Sequence, residues 1–252
     1  MVKIEDFNTG PKANPDVINI NLDPAENIKN KKKIKQLLKN IVESDSKDLE
    51  KNINNAYHQN AELKCFHPIN NISGIDEIYY KLWLPIKNSF TDLERRECLV
   101  LGGSFQDKVF VSTISLLTGT YTNPWLGIPT NNKTIHLRIC EAHEIKDGKI
   151  IHSHILLDVI DFIRQAGFWP INTSNGAEGL WTNSIAGDGA IFENIDKQLS
   201  LSSLEQALTM QRSLNIKPES DPNADHTYVK EKLINHPQKE FWHEKMMWYG
   251  PS

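Results

Sequence analysis

The sequence predicts an α+β domain: helices first, then several long antiparallel strands forming one curved sheet. Three observations carry this. Residues 28–57 show apolar positions at helical spacing. Residues 95–120 then hold two β-branched, apolar runs. Finally, the stretch Lys133 to Asp161 places Asp147-Gly148 between two alternating runs, a strong hairpin signal.

Composition narrows the class. The chain has 252 residues, 39% hydrophobic and 24% charged, as in ordinary globular proteins. A net charge of -4 gives no electrostatic reason to expect nucleic acid or an anionic membrane. No apolar run reaches about 18 residues, and the N-terminus lacks a signal-peptide core. The three cysteines, Cys65, Cys98 and Cys140, are odd in number and lack metal-type spacing. They read as reduced thiols of a cytoplasmic protein.

In chain order, residues 1–27 hold Gly10, Pro11, Pro15 and Pro24 without periodicity, and are expected to form an arm. Ile34, Leu37, Leu38 and Ile41 mark the inner stripe of a first helix. Ser46 is the expected N-cap of a second, with Leu49, Ile53 and Tyr57 inward. A short strand follows in AELKCFHPIN. Ile75, Ile78, Tyr79 and Leu82 share a helical face, which Pro85 ends or kinks. Arg95 to Leu101 reads as a strand closed by Gly102-Gly103, and Lys108 to Thr120 as a buried strand. The domain is expected to span 28–170. Residues 171–197, rich in Asn, Gly and Ser, read as a linker. In 198–252, Ser202-Ser203-Leu204-Glu205 reads as a capping box before a helix.

The hairpin sets the candidate site. With a two-residue loop, Ile145 opposes Ile150, His143 opposes His152, Glu141 opposes His154, and Leu137 opposes Asp158. One face then gathers Glu141, His143, His152, His154 and Asp158 among Leu137, Ile139 and Leu156. A three-residue turn would slip the pairing by one and move Asp158 to the other face from His143. Those histidines and carboxylates could ligate zinc or iron. However, they spread over several residue pairs, so neither a metal nor a cofactor is expected. No Gly-rich phosphate loop or nucleophile elbow is present.

The run GIDEIYYKLWLPIKNSFTDLERR, then GTYTNPWLGIPTNNKTIHLR, then EAHEIKDGKIIHSHILLDVIDFIRQAG resembles the SnoaL-like polyketide cyclase (ester cyclase) family. That family belongs to the nuclear transport factor 2-like superfamily. The resemblance covers about Lys35 to Gly167. It implies a cone: one strongly curved sheet capped by helices. It also implies cofactor-free aldol-type cyclisation or isomerisation of a small apolar carbonyl compound. An acidic residue on the last strand and a histidine on its neighbour do the acid/base work in that family. By position these match Asp158 and His143. The chain departs from the pattern in carrying Ser153-His154 where many relatives have a His-Trp pair. The closing FWHEKMMWYGPS resembles the start of a second such domain, so 198–252 is expected to be its incomplete helical beginning, without a core of its own.

Two readings of Asp158 stay open. A carboxyl group among Ile155, Leu156 and Leu157 would have a raised pKa and suit proton transfer. Equally, Asp158 could end the strand and N-cap a helix over Val159 to Gln165. His143 and His154 could hold a developing oxyanion, or pair with neighbouring carboxylates. Tyr79, Trp83, Phe90 and Trp125 are candidate wall residues with Leu137, Glu141 and Leu156; Tyr80, His67 and Arg138 are lesser ones. The rival to an enzyme is a non-catalytic small-molecule binding module that dimerises through the sheet.

Overall fold

A computed structural model describes residues 23–105, 107–169, 189–193, 196–213 and 239–241. They fall into two units that divide between residues 194 and 195.

In the first unit, α1 (Pro24–Glu43) begins earlier than the sequence predicts, because Asp23 and Pro24 build its start. The Asp23 side chain accepts from the Ala25 N–H, and Pro24 sits where no N–H is needed. Ile34, Leu38 and Ile41 are fully buried along its inner stripe. A 3₁₀ turn (Ser46–Asp48) leads into α2 (Leu49–Ala56). Neither Ser46 nor Asp48 supplies the expected side-chain cap; Tyr57 still points inward, but as the first residue of β1 (Tyr57–Lys64). After β2 (Asn71–Ser73) comes α3 (Gly74–Glu77). Pro85 cannot donate a helical hydrogen bond, and the helix accommodates it by widening into a π-helical stretch (Ile78–Trp83) before α4 (Leu84–Ser89).

Four long strands follow: β3 (Phe90–Phe105), β4 (Lys108–Tyr121), β5 (Thr134–Lys146) and β6 (Lys149–Leu157). Gly102-Gly103 does not close β3 as predicted. The strand runs on to Phe105 against α1, whose Asn27 side chain donates to the Gly102 carbonyl at 3.0 Å. The sheet order is β2-β1-β6-β5-β4-β3. It is mixed rather than wholly antiparallel, because β1 pairs parallel to β6. The helices cover one face. There, Val111, Leu117, Ile135, Leu137, Ile139 and Leu157 form the core with the stripe of α1.

Beyond β6, α5 (Val159–Gln165) sends Phe162 into the core. Further on, residues 189–193 return to the free edge of β3. The Gly189 carbonyl accepts from the Val100 N–H at 2.8 Å, and Phe192 lies under the ammonium groups of Lys31 and Lys35, 5.6 and 4.8 Å from its ring centre. A side chain at Gly189 would collide with the Cys98 carbonyl.

In the second unit, α6 (Lys197–Ser213) starts before the expected capping box. Asp196 caps it instead, accepting from the N–H groups of Gln198 and Leu199 at 2.7 and 3.1 Å. Residues 1–22 of the arm expected over 1–27, most of the linker and FWHEKMMWYGPS beyond Phe241 lie outside the described residues; the rest of that arm is the start of α1. Among the described residues, no helix is long and apolar enough to cross a membrane.

Candidate functional site: a buried polar cluster inside the cone

The Asp147-Gly148 turn forms as the sequence predicts. Both residues have positive φ, 52° and 74°, and Lys146 pairs with Lys149 across a two-residue loop. The register then slips. Ile145 opposes Ile150, but Glu144 opposes His152, His143 opposes Ser153 and Glu141 opposes Ile155. The extra residue is Ile151, a β-bulge placed where β1 is also irregular, between Tyr57 and Glu62. One inserted residue exchanges the faces of everything after it.

The expected shared face is therefore divided. Glu141 and His143 point into the interior with Leu137. His152, His154 and Leu156 point outward, and Leu156 is 62% exposed. The inward residues of β6 are Ile150, Ser153, Ile155 and Leu157, so its inner face carries no carboxylate.

Asp158 lies past the end of β6 and has two structural partners. Its carboxylate accepts from the Asp161 N–H at 3.0 Å, capping α5, and pairs with Arg138 Nη1 at 2.7 Å. It does not meet His143 across an apolar cavity. Phe90 and Trp125 are buried, but they pack with Tyr121 around Phe162 rather than beside Glu141. Tyr79 is half-buried against Tyr80, which is itself exposed, and His67 is exposed. Trp83 is fully buried.

Around Glu141 stands a cluster that the hairpin argument omits. Arg95 of β3 is fully buried, and its Nη2 donates to Glu141 Oε2 and, at 2.9 Å each, to the Thr113 and Ser115 hydroxyls. Its Nε reaches Glu97 at 3.3 Å. Thr113 also donates to Glu141 Oε2, at 2.9 Å. His143 Nδ1 bonds the Ser153 hydroxyl at 2.7 Å, and its Nε2 stands 3.7 Å from Glu141 Oε1. Among the described residues, the buried polar atoms with no hydrogen-bond partner include Arg95 Nη1, Glu141 Oε1, His143 Nε2, the Tyr57 hydroxyl and the Trp83 indole nitrogen. The signal for Thr113 and Ser115 was in the sequence, as polar residues at alternate positions of a strand otherwise apolar on that face. Arg95, 46 residues from its carboxylate, left none.

The electrostatics follow from burial and pairing. Burial works to raise the Glu141 pKa, but the charges of Arg95 and His143 and hydrogen bonds from Arg95 and Thr113 outweigh it. The carboxyl is held below its usual range. Burial, reinforced by Arg95 and opposed by Glu141, pushes His143 down to about 4, so it is neutral near pH 7. Burial and the Glu141 charge push the Cys65 thiol up to about 12. Among the described residues, no three His, Cys, Asp or Glu side chains gather closely enough to hold a metal ion.

Comparison with solved structures finds a set of small proteins. The chain is similar to SnoaL-like polyketide cyclases. One is a candidate member of that group from Jannaschia sp. CCS1, at 14% identity and a TM-score of 0.45, covering 56% of this chain and 95% of that one. AclR from Streptomyces galilaeus, a candidate hydroxylase, aligns at 13% identity and 0.47, covering 76% and 99%. IdmH from Streptomyces antibioticus, a candidate polyketide cyclase, aligns at 15% and 0.44, covering 53% and 98%. No family model and no curated protein matches.

Proposed function

We propose that the cone interior takes up a small, largely apolar carbonyl compound and performs cofactor-free acid/base chemistry on it, of the aldol or isomerisation type. Glu141 and His143 take the polar roles. One observation carries this reading: Glu141 Oε1 and His143 Nε2, both fully buried and 3.7 Å apart, have no hydrogen-bond partner. Burying an unpaired polar group costs about 1–3 kcal/mol, and two on one spot suit a bound ligand. Arg95 and Thr113 occupy the other carboxylate oxygen, which fixes Oε1 in place. The ionised Glu141 can accept a proton from carbon next to a carbonyl. Neutral His143 can meet the carbonyl oxygen through Nε2. Arg95 lowers the basicity of Glu141 while orienting it. Asp158, engaged by α5 and Arg138, has no place in this scheme.

The test needs no knowledge of the natural substrate. In heavy water, the protein is expected to speed exchange of the α-hydrogens of 2-tetralone, followed by NMR. Glu141→Gln should slow that exchange by about 10² to 10⁴-fold, the usual worth of a general acid or base. Exchange no faster than in buffer, or unaffected in the Gln variant, would overturn the proposal.

A second reading, a non-catalytic dimerisation module, is favoured by the outer face of the sheet, which no described residue covers. Leu101 and Leu156 are 56% and 62% exposed there, beside a trough of about 560 Å³ that Leu99, Ile114, Cys140 and Ala142 also line.

A further inference from the structure

The helical wall of the interior holds two more polar groups with nothing to bond. Tyr57 opens β1 just before that strand becomes irregular, and Trp83 ends the π-helical stretch. Both are fully buried. Neither the Tyr57 hydroxyl nor the Trp83 indole nitrogen has a hydrogen-bond partner. The two are neighbours: the Trp83 N–H acts on the Tyr57 hydroxyl, yet the pair does not meet hydrogen-bond geometry. Glu141, Cys65 and Arg95 are also within electrostatic reach of that hydroxyl. Single π-helical turns are frequent at functional sites.

We infer that Tyr57 and Trp83 are the paired donors for one oxygen of the ligand, and that the interior selects a neutral hydroxy-carbonyl compound over an anion. The inference rests on the reading of the interior as a ligand site. The donors are complementary to an acceptor oxygen other than the carbonyl that meets His143, such as that of a hydroxyl, and Glu141 Oε1 stays open for the proton on carbon. Charge supplies the selectivity. Glu141 and Glu97 place two carboxylates against the single guanidinium of Arg95, with His143 neutral near pH 7. A carboxylate ligand would add a second excess negative charge in a poorly screened interior. Burial and the Glu141 charge also keep the Tyr57 hydroxyl protonated, so it stays a donor.

The experiment uses 2-hydroxyacetophenone and salicylate, two probes of nearly equal shape and different charge. Binding to the full chain is measured by calorimetry at pH 7.5, with melting of each free protein alongside. The wild type should bind 2-hydroxyacetophenone at least tenfold more tightly than salicylate. Tyr57→Phe and Trp83→Phe should each weaken it about 3- to 10-fold, the worth of one neutral hydrogen bond. Tyr57→Phe should melt no lower than wild type, since it removes only a hydroxyl with no partner. Binding that is unchanged in both variants would overturn the donor assignment while leaving the ligand site standing. Equal affinity for the two probes would overturn the charge selectivity. If the wild type binds neither probe, the donor assignment falls, and α-hydrogen exchange then decides separately whether the interior is a ligand site at all.

Discussion

His143 carries the sharpest consequence at the scale of single residues. Its folded-state pKa of about 4 lies below the usual 6.5, so between those values the unfolded chain binds a proton that the native protein refuses. Stability should therefore decline as pH falls from about 6.5 to about 4. At roughly 1.4 kcal/mol per unit, the loss is of the order of 3 kcal/mol. Glu141 acts in the same direction lower down: its depressed pKa contributes stability above the ordinary carboxylate range that is lost as acid protonates it. His143→Gln keeps a group that can bond Ser153 but cannot titrate. Urea unfolding between pH 7 and 4.5 should show a markedly flatter profile for this variant. An unchanged profile would mean that His143 is not held neutral by its surroundings.

Among the elements, α5 and the β5–β6 hairpin decide what Asp158 does. Asp158→Ala removes both the cap on α5 and one ion pair of Arg138, and should cost about 1 to 2 kcal/mol in thermal unfolding. Exchange of 2-tetralone should proceed at the wild-type rate; a large loss would return the carboxylate to the chemistry. The same hairpin shows how far a sequence can be read. The turn was legible because Asp147 and Gly148 are the residue types that accept positive φ at both positions of a tight loop. The bulge was not, because Ile150 and Ile151 are identical in chemistry and either could face the core. The alternation that placed Glu141 and His143 inward survived, since both lie on β5, where the sequence has no slip of its own. His154, Leu156 and Asp158 were lost with the slip. Thus one chemically silent residue separated the part of the site that could be read from the part that could not. The helices were read more readily, since Ile34, Leu38 and Ile41 at α1 obey a period that no single insertion disguised.

At the scale of the whole sheet, the described residues leave its outer face uncovered. A face with Leu101 and Leu156 exposed, flanked by Ile114 and Leu99, is larger in apolar character than isolated surface leucines. If two copies meet there, sedimentation should show a dimer at micromolar concentration, and Leu156→Lys should dissociate it without lowering the melting point of the monomer. A wild-type chain that sediments as a monomer at all accessible concentrations would dispose of that interface. The exposed position of Leu156 makes the substitution safe for folding, because the added ammonium stays in water.

The return of residues 189–193 to the edge of β3 bears on the order in which the protein is made. The six strands and first five α-helices of the described residues have been synthesised by Gln165, yet Val100 still waits for the Gly189 carbonyl, and α1 for Phe192. On the ribosome the last pieces of this domain therefore arrive some twenty residues after its apparent end. Until they do, the Val100 N–H on the edge of β3 lacks the acceptor it has in the finished fold. The natural place to divide this chain for expression in parts lies beyond residue 193, not at 170.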